Sequence, residues 1–299
     1  MSITDEIRSA CRGIAERSRH VRINRDRIGG YTRRLPAAPP VAPARAPEGR
    51  LEEAAAHWLQ LNAINFGSGW FPTLRKRPGV SGFRTVQAGL KARGPWPAEA
   101  LAAVRADEIA AVLGQDPGHE LMELYARHLR ELGASVLSVH DGSFLALARS
   151  GDGSAVALAE RLATMPSFAD VSVYGEQRIP FYKRAQITAS DLHLAGIAPA
   201  HDLERLTLFA DNLVPHVLRL DGVLAFDDGL VARIEDELLI DHGSPEEVEI
   251  RACALHAVEL LVAAHGATTA ATVDNVLWDR GAGARYKAVP RHRARCTAY

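Results

Sequence analysis

Cysteine is scarce in this 299-residue chain, and Cys11, Cys253 and Cys296 are odd in number and far apart. Such usage supports neither a disulfide framework nor a zinc site and fits a reducing compartment. A surplus of charge of either sign is missing as well, since 35 Lys and Arg against 36 Asp and Glu leave a formal net charge of -1. A chain so close to neutral has no general field for DNA or RNA, and no stable nucleic-acid complex is expected. No apolar run is long enough to span a bilayer, and Asp5, Glu6 and Arg8 stand where a signal peptide needs an apolar stretch. These absences predict a soluble cytoplasmic protein with no membrane partner. Glycine-rich phosphate loops, a Gly-x-Ser-x-Gly elbow and internal repeats are also missing. Strand signals are thin: only Val171, Val173 and Ile179, Phe181 flank a turn, Gly175-Glu176-Gln177, that predicts one short hairpin.

What is present is mostly helical. Ile3, Ile7, Ala10 and Ile14 recur at helical spacing and predict a helix over 3–21. From Leu35 to Pro47 the composition turns to proline and alanine, which predicts an extended arm or linker. A second helix is predicted from Arg50 to Phe66, stopped by Gly67-Ser68-Gly69, with Trp70 and Phe71 following at once. Helical patterns continue over 85–93, 106–113, 119–132 and 155–165. Phe181-Tyr182-Lys183-Arg184 leads into a further helix toward Leu194. Ser244-Pro245-Glu246-Glu247 carries the full start signal of a helix reaching about His265, and a last helix covers 268–279. The organisation read from this is an N-terminal helix and Pro/Ala-rich arm over 1–48, then an α-helical domain over 49–299, as one body or two lobes.

The segment Glu204–Leu220 stands apart. Leu206, Phe209, Leu213, Val217 and Leu220 keep helical spacing, but Pro215 cannot sit inside an unbroken helix. The spacing predicts a helix ending near Ala210 and another beginning near Leu213, with Asn212 as N-cap and Pro215 in the tolerant first turn. Asp211 then lies in the joint, where by spacing alone an aspartate reads as a cap. Lys183 and Arg184 sit just inside a helix start, an unfavourable place for cations beside the helix dipole. Either they are surface cations with buried stems, or they and the helix start together bind an anion. Glu249, Cys253, His256 and Glu259 share one helix face, but no matching set exists on another helix. A solvated or lightly buried stripe is the better reading, and no metal or other cofactor is called for.

Five ordered segments resemble the queuosine salvage proteins, the queuosine 5'-phosphate N-glycosidases. They are Leu61–Phe66 ahead of an aromatic pair, Phe181–Ile187, Leu208–Asp211, Glu247–Ala252 with Ala257–Leu260, and Leu277-Trp278 with the tail Val289–Cys296. The resemblance covers about 240 residues, from Leu51 to the C-terminus. It implies an α-rich fold similar to helix-hairpin-helix DNA glycosylases. The implied activity is hydrolysis of the N-glycosidic bond of queuosine 5'-monophosphate, giving queuine for reinsertion into tRNA and ribose 5-phosphate. In the family's pattern Asp211 is the catalytic carboxylate and Lys183 its companion. Phe66, Trp70, Tyr182, Arg184, Asn212, His216, Trp278, Arg293 and Arg295 are candidates for binding the substrate, a small nucleotide, on a monomer.

The chemistry suits these residue types. Cleaving an N-glycosidic bond builds positive charge on the ribose, which a fixed carboxylate stabilises while orienting or deprotonating the attacking water. A 7-deazaguanine has carbon where a purine has N7, so protonation there cannot help it leave. Aromatic rings such as Phe66, Trp70 and Trp278 are suited to clamping a flat base. Trp70 has two readings, a base stacker delivered by the Gly67 loop or a core anchor closing the helix end. The chain departs from the family at three places near the pocket. Gly67–Pro72 replaces a Ser-Phe-Trp continuation, Asn212-Leu213 replaces Tyr-Arg, and His216 replaces Gln. The rival readings are a glycosidase for another modified or ordinary purine nucleotide and a non-enzymatic nucleotide or nucleic-acid binder on the same scaffold.

Overall fold

The start signal at Ser244 works as the sequence predicts in the computed structural model, which describes residues 1–38 and 49–299. The Ser244 hydroxyl accepts the Glu247 amide at the head of a 21-residue helix, Pro245–His265, with Pro245 in the first turn. Glu247 does not close a capping box; its Oε2 accepts the Gly243 amide instead. Every residue from Glu247 to Val258 is buried, so this helix is a core element with no solvent face along that stretch.

The chain divides into two units that exchange segments. The first combines Met1–Val41, Asp170–Lys183 and Asp202–Arg295. Its core gathers Ile7, Ile14, Phe181, Leu208, Val217 and Leu255 around the Pro245–His265 helix. The helices Ile3–Ala15, Arg25–Thr32, Leu213–Leu220, Asp228–Glu235, Ala270–Gly281 and Ala284–Lys287 belong to it. At Gly281 an added Cβ would lie 2.7 Å from Leu213, so the Ala270–Gly281 and Leu213–Leu220 helices meet as closely as they do only over a glycine. The second unit combines Ala42–Ala169, Arg184–His201 and Cys296–Tyr299. It holds Leu51–Ala63, Gly82–Arg93, Ala98–Ala102, Ala106–Leu113, Glu120–His140, Phe144–Arg149 and Ala155–Ala163. The helix Lys183–Leu194 starts on the last residue of the first unit and continues in the second.

The expected α-rich architecture is the one observed, with corrections to its parts. The hairpin forms, Val171–Tyr174 against Gln177–Pro180 with Tyr174 opposite Gln177. A second antiparallel pair, absent from the sequence reading, joins Val21–Ile23 to Leu224–Phe226. Three-residue strands are too short to show alternation. The N-terminal helix accordingly stops at Ala15 instead of 21. The buried Glu249 carboxylate draws the chain out of the helix by accepting the amides of Arg19, His20 and Val21, at 2.9, 2.6 and 3.1 Å. The expected polar stripe is thus a structural cradle, with Glu249 and Cys253 both at 0% exposure.

Residues 206–210 are not helical. A 3-10 turn, Leu203–Arg205, leads into an irregular run in which Leu206 to Ala210 are all buried and the Ala210 amide donates to the Leu208 carbonyl at 2.9 Å. Its backbone finds partners on neighbouring helices of the same unit: the Phe209 amide donates to Asp274 and the Ala210 carbonyl accepts from Arg251. Apolar spacing cannot separate a buried helix from a buried extended run, and those side-chain partners remove the need for helical hydrogen bonds. The helix expected over 119–132 runs on to His140, and Gly133 within it is a contact point, its missing Cβ leaving room for the Ala102 amide nitrogen 2.5 Å from that position. Of the Pro/Ala-rich arm, residues 39–47 lie outside the described residues. Among the described residues no single helix is long and apolar enough to cross a membrane.

Candidate active site

Asp211 stands where the joint was expected, and it is the capping side chain. Its Oδ1 accepts the amides of Leu213 and Val214, at 2.8 and 3.2 Å, at the start of the Leu213–Leu220 helix. Asn212 occupies the N-cap position without capping; its Nδ2 donates instead to the His292 carbonyl at 3.0 Å. Among the described residues Asp211 Oδ2 accepts no hydrogen bond, and the residue is half-buried. The backbone thus fixes one carboxylate oxygen and leaves Oδ2 out of the cap.

The group that positions Asp211 is Arg251, inside the Pro245–His265 helix. Its Nε donates to the Ala210 carbonyl at 3.0 Å, and its other two nitrogens form a bidentate pair with Asp170 at 3.0 and 2.7 Å. Both side chains are fully buried, and the guanidinium lies 3.9 Å over the Phe181 ring. Asp170 Oδ2 also accepts the Lys183 amide at 3.0 Å, and the Asp170 carbonyl accepts the Phe181 and Tyr182 amides. The anion at this helix start is therefore an internal carboxylate, which satisfies the amide and the dipole together. Lys183 itself is buried. Tyr182 holds φ at 47°, a strained conformation for a non-glycine residue of the kind that concentrates at functional sites.

Several candidates sit elsewhere than their motifs suggest. Arg184 is turned inward in the second unit, donating to the Ala63 carbonyl at 2.6 Å, with Phe66 at 5.1 Å and Phe168 at 5.5 Å from its guanidinium. It is fully buried, so it is not presented to a phosphate. Phe66 is equally internal: Tyr125 meets its ring edge-on at 5.1 Å and His128 lies at 4.8 Å, which leaves no face for a base. Trp70 is buried, and its indole donates to Glu120 at 2.8 Å, which favours the core-anchor reading over stacking. His216 is buried, with Nε2 on the Tyr286 carbonyl, and burial pushes its pKa down to about 4. Arg293 is held by Glu237 at 2.8 Å, and Arg295 is exposed. Trp278 is half-buried on the Ala270–Gly281 helix of the unit that carries Asp211.

The sequence reading missed Asp170, Glu247 and His292 as parts of this region, and Arg251 as its organiser. Burial raises the Glu247 carboxyl, but His242 and Arg251 outweigh it and hold the group at about 2. Burial pushes His292 down to about 3 against the pull of Glu247. The one legible signal was the i, i+4 pairing of Glu247 with Arg251, here 3.7 Å apart. Asp170 is 81 residues from Arg251, a distance at which no spacing rule operates. Among the described residues no cluster of three or more His, Cys, Asp or Glu is placed to hold a metal ion. Two surface cavities, one around Gly151–Leu158 and one around Glu52 and Phe144, lie within the second unit and contain none of the candidate residues.

A buried ion pair and a capping carboxylate on an α-rich scaffold make up this region, and comparison with known proteins gives the chain a family. Residues 49–299 match the family described as Queuosine salvage protein, and the chain belongs to that family. It is 38% identical over 208 residues to a Queuosine 5'-phosphate N-glycosylase/hydrolase of Sphaerobacter thermophilus, covering 67% of this chain and 64% of that protein. It is 32% identical over 219 residues to the protein of the same name from Bos taurus, covering 66% and 64%. Over 197 residues it is 33% identical to the Mus musculus protein of that name, covering 60% and 58%. The match thus spans just under two thirds of the length of these curated relatives.

Proposed function

We propose that this protein hydrolyses the N-glycosidic bond of queuosine 5'-monophosphate, releasing queuine for salvage into tRNA and ribose 5-phosphate. The relatives' names carry that activity, and one observation in this chain supports it most directly. A single buried guanidinium, Arg251, holds both motif segments at once, through the Ala210 carbonyl beside Asp211 and through Asp170 beside Lys183. Residues 28 apart in the chain, Lys183 and Asp211, are thereby set on one rigid frame, which is what preorganised electrostatic catalysis requires.

In this reading the C1'–N bond breaks and its electron pair leaves with the base, which takes up a proton from solvent, while Asp211 afterwards returns to solvent the proton it gains from the attacking water. The ribose passes through an oxocarbenium-like state facing the Asp211 carboxylate. The free Oδ2 orients a water and receives its proton as the oxygen bonds to C1'. Lys183, Tyr182 and Trp278, all in the unit of Asp211, are the remaining candidates for substrate contact. Mass spectrometry of products from a panel of purine and 7-deazapurine nucleoside 5'-monophosphates tests the proposal. Release of queuine from its nucleotide well ahead of guanine or adenine from theirs is expected. Faster release of an ordinary purine would reassign the substrate, and no release from any nucleotide would remove the enzymatic reading.

A further inference from the structure

We infer that Arg291 is the residue that takes the 5'-phosphate of the substrate; the inference rests on the nucleotide-hydrolase reading and assigns the anion subsite of that same site. The tail residues 291–296 alternate in burial, with His292, Ala294 and Cys296 inside and Arg291, Arg293 and Arg295 on the opposite side. That period of two is an extended segment presenting three arginines on one face. The backbone is clamped on both sides of Arg291. Arg219 donates to the Pro290 carbonyl at 3.4 Å, Asn212 to the His292 carbonyl at 3.0 Å, and the Ile240 amide to the Arg293 carbonyl at 2.9 Å.

The three arginines are not equivalent. Arg293 is paired with Glu237, and Arg295 is exposed. Arg291 is half-buried, and among the described residues its guanidinium donates no hydrogen bond and meets no carboxylate at ion-pair distance. Burial draws it below the ordinary arginine value, the Asp211 carboxylate pulls it back up, and Arg293 adds repulsion. An incompletely partnered cation withdrawn from water is costly, and a phosphate offers it the bidentate geometry it lacks. Asn212 supplies the spatial argument. It follows Asp211 directly and bonds the residue that follows Arg291, so carboxylate and guanidinium flank one hydrogen bond. Ribose 5-phosphate is short, and a group working at C1' must have the 5'-phosphate cation as a neighbour.

The pairing has a consequence for turnover. Without ligand, Arg291 opposes the negative field that Asp211 offers to a developing oxocarbenium. A bound phosphate neutralises Arg291 and releases that field, so the phosphate raises kcat as well as affinity.

The test is a substrate-by-variant cycle on the full chain: wild type, Arg291→Gln, Arg291→Lys and Arg293→Gln, each with queuosine and its 5'-monophosphate. Thermal melting with added inorganic phosphate accompanies each variant. Arg291→Gln is expected to lower kcat/KM on the nucleotide by about 100-fold, with a share of the loss in kcat, and to leave the nucleoside rate undiminished or raised by up to about threefold, because the cation opposing Asp211 is gone. Arg291→Lys should recover part of the nucleotide rate, and phosphate should raise the melting temperature of wild type but not of Arg291→Gln. Equal losses on both substrates, an unchanged preference for the nucleotide, or a preference that collapses in Arg293→Gln instead would overturn the assignment. If wild type cleaves neither substrate, the nucleotide-hydrolase reading is what fails. The phosphate melting shift then still decides whether Arg291 holds the anion.

Discussion

Trp70 shows how one side chain's neighbours decide between two roles its sequence context left equal. A ring that clamps a base needs an open face, whereas this one is 4% exposed with its indole N–H committed to Glu120. Gly67, at φ 121°, turns the chain so tightly that a Cβ would meet Phe71, Leu121 and the Tyr125 hydroxyl at 3.0–3.1 Å. The Gly67–Pro72 departure from the family is therefore a packing solution for the helix end. Trp70→Ala is expected to destabilise the protein by about 3–5 kcal/mol, with near-normal kinetics in the folded fraction. Denaturant melts together with steady-state rates check this; a stable variant with crippled kinetics would return Trp70 to the substrate site. Asp211 is the opposite case, since its capping role occupies Oδ1 and the catalytic role we propose for it uses Oδ2, so the two do not exclude each other.

At the scale of elements, the Arg251–Asp170 pair decides how the hairpin, the Lys183 helix start and the Asp211 segment are held. Removing one partner leaves a buried charge uncompensated, which costs roughly 3–5 kcal/mol. Arg251→Lys cannot reproduce a bidentate contact together with the Nε–H bond to Ala210. It should lower both stability and turnover, and Asp170→Asn should do the same; a variant with unchanged melting and rate would show that the frame does not depend on this pair. The helix start with a local signal at Ser244-Pro245 was legible in advance, whereas the helix expected to run to Phe66 ends at Ala63, ahead of the Gly67 signal. The irregular run 206–210 and the Val21–Ile23 strand were not, because distant side chains, Arg251, Asp274 and Glu249, take up backbone groups there. In Arg291-His292-Arg293-Ala294-Arg295-Cys296 the sequence pointed to Arg293 and Arg295, and the different partners of the three arginines are visible only in the structure.

The molecule as a whole should be acid-labile for a definable reason. Burial depresses His128 and His292 to about 3 and His216 to about 4. Each binds a proton near pH 6.5 when unfolded but not when folded, so stability falls as pH drops below 6.5 toward those folded values. At pH 5 each such histidine costs roughly 2 kcal/mol relative to pH 7. Glu247, held at about 2, adds its loss only as pH falls from about 4.5 toward 2. Melting curves between pH 7 and 5 should show the decline, and His292→Asn should flatten it; a flat wild-type curve would contradict the buried-neutral assignment. The α-rich class was readable from composition and spacing, but the exchange of segments between two units was not. It depends on pairings such as Arg251 with Asp170 that link distant stretches of chain within one unit. The most direct test of the account is single-turnover release of queuine from queuosine 5'-monophosphate by wild type and Asp211→Asn. The Asn side chain can keep the helix cap while removing the charge that the transition state faces. The account predicts melting temperatures that nearly coincide and a loss in rate of at least about 100-fold; a well-folded Asp211→Asn protein within a few-fold of wild type would contradict it.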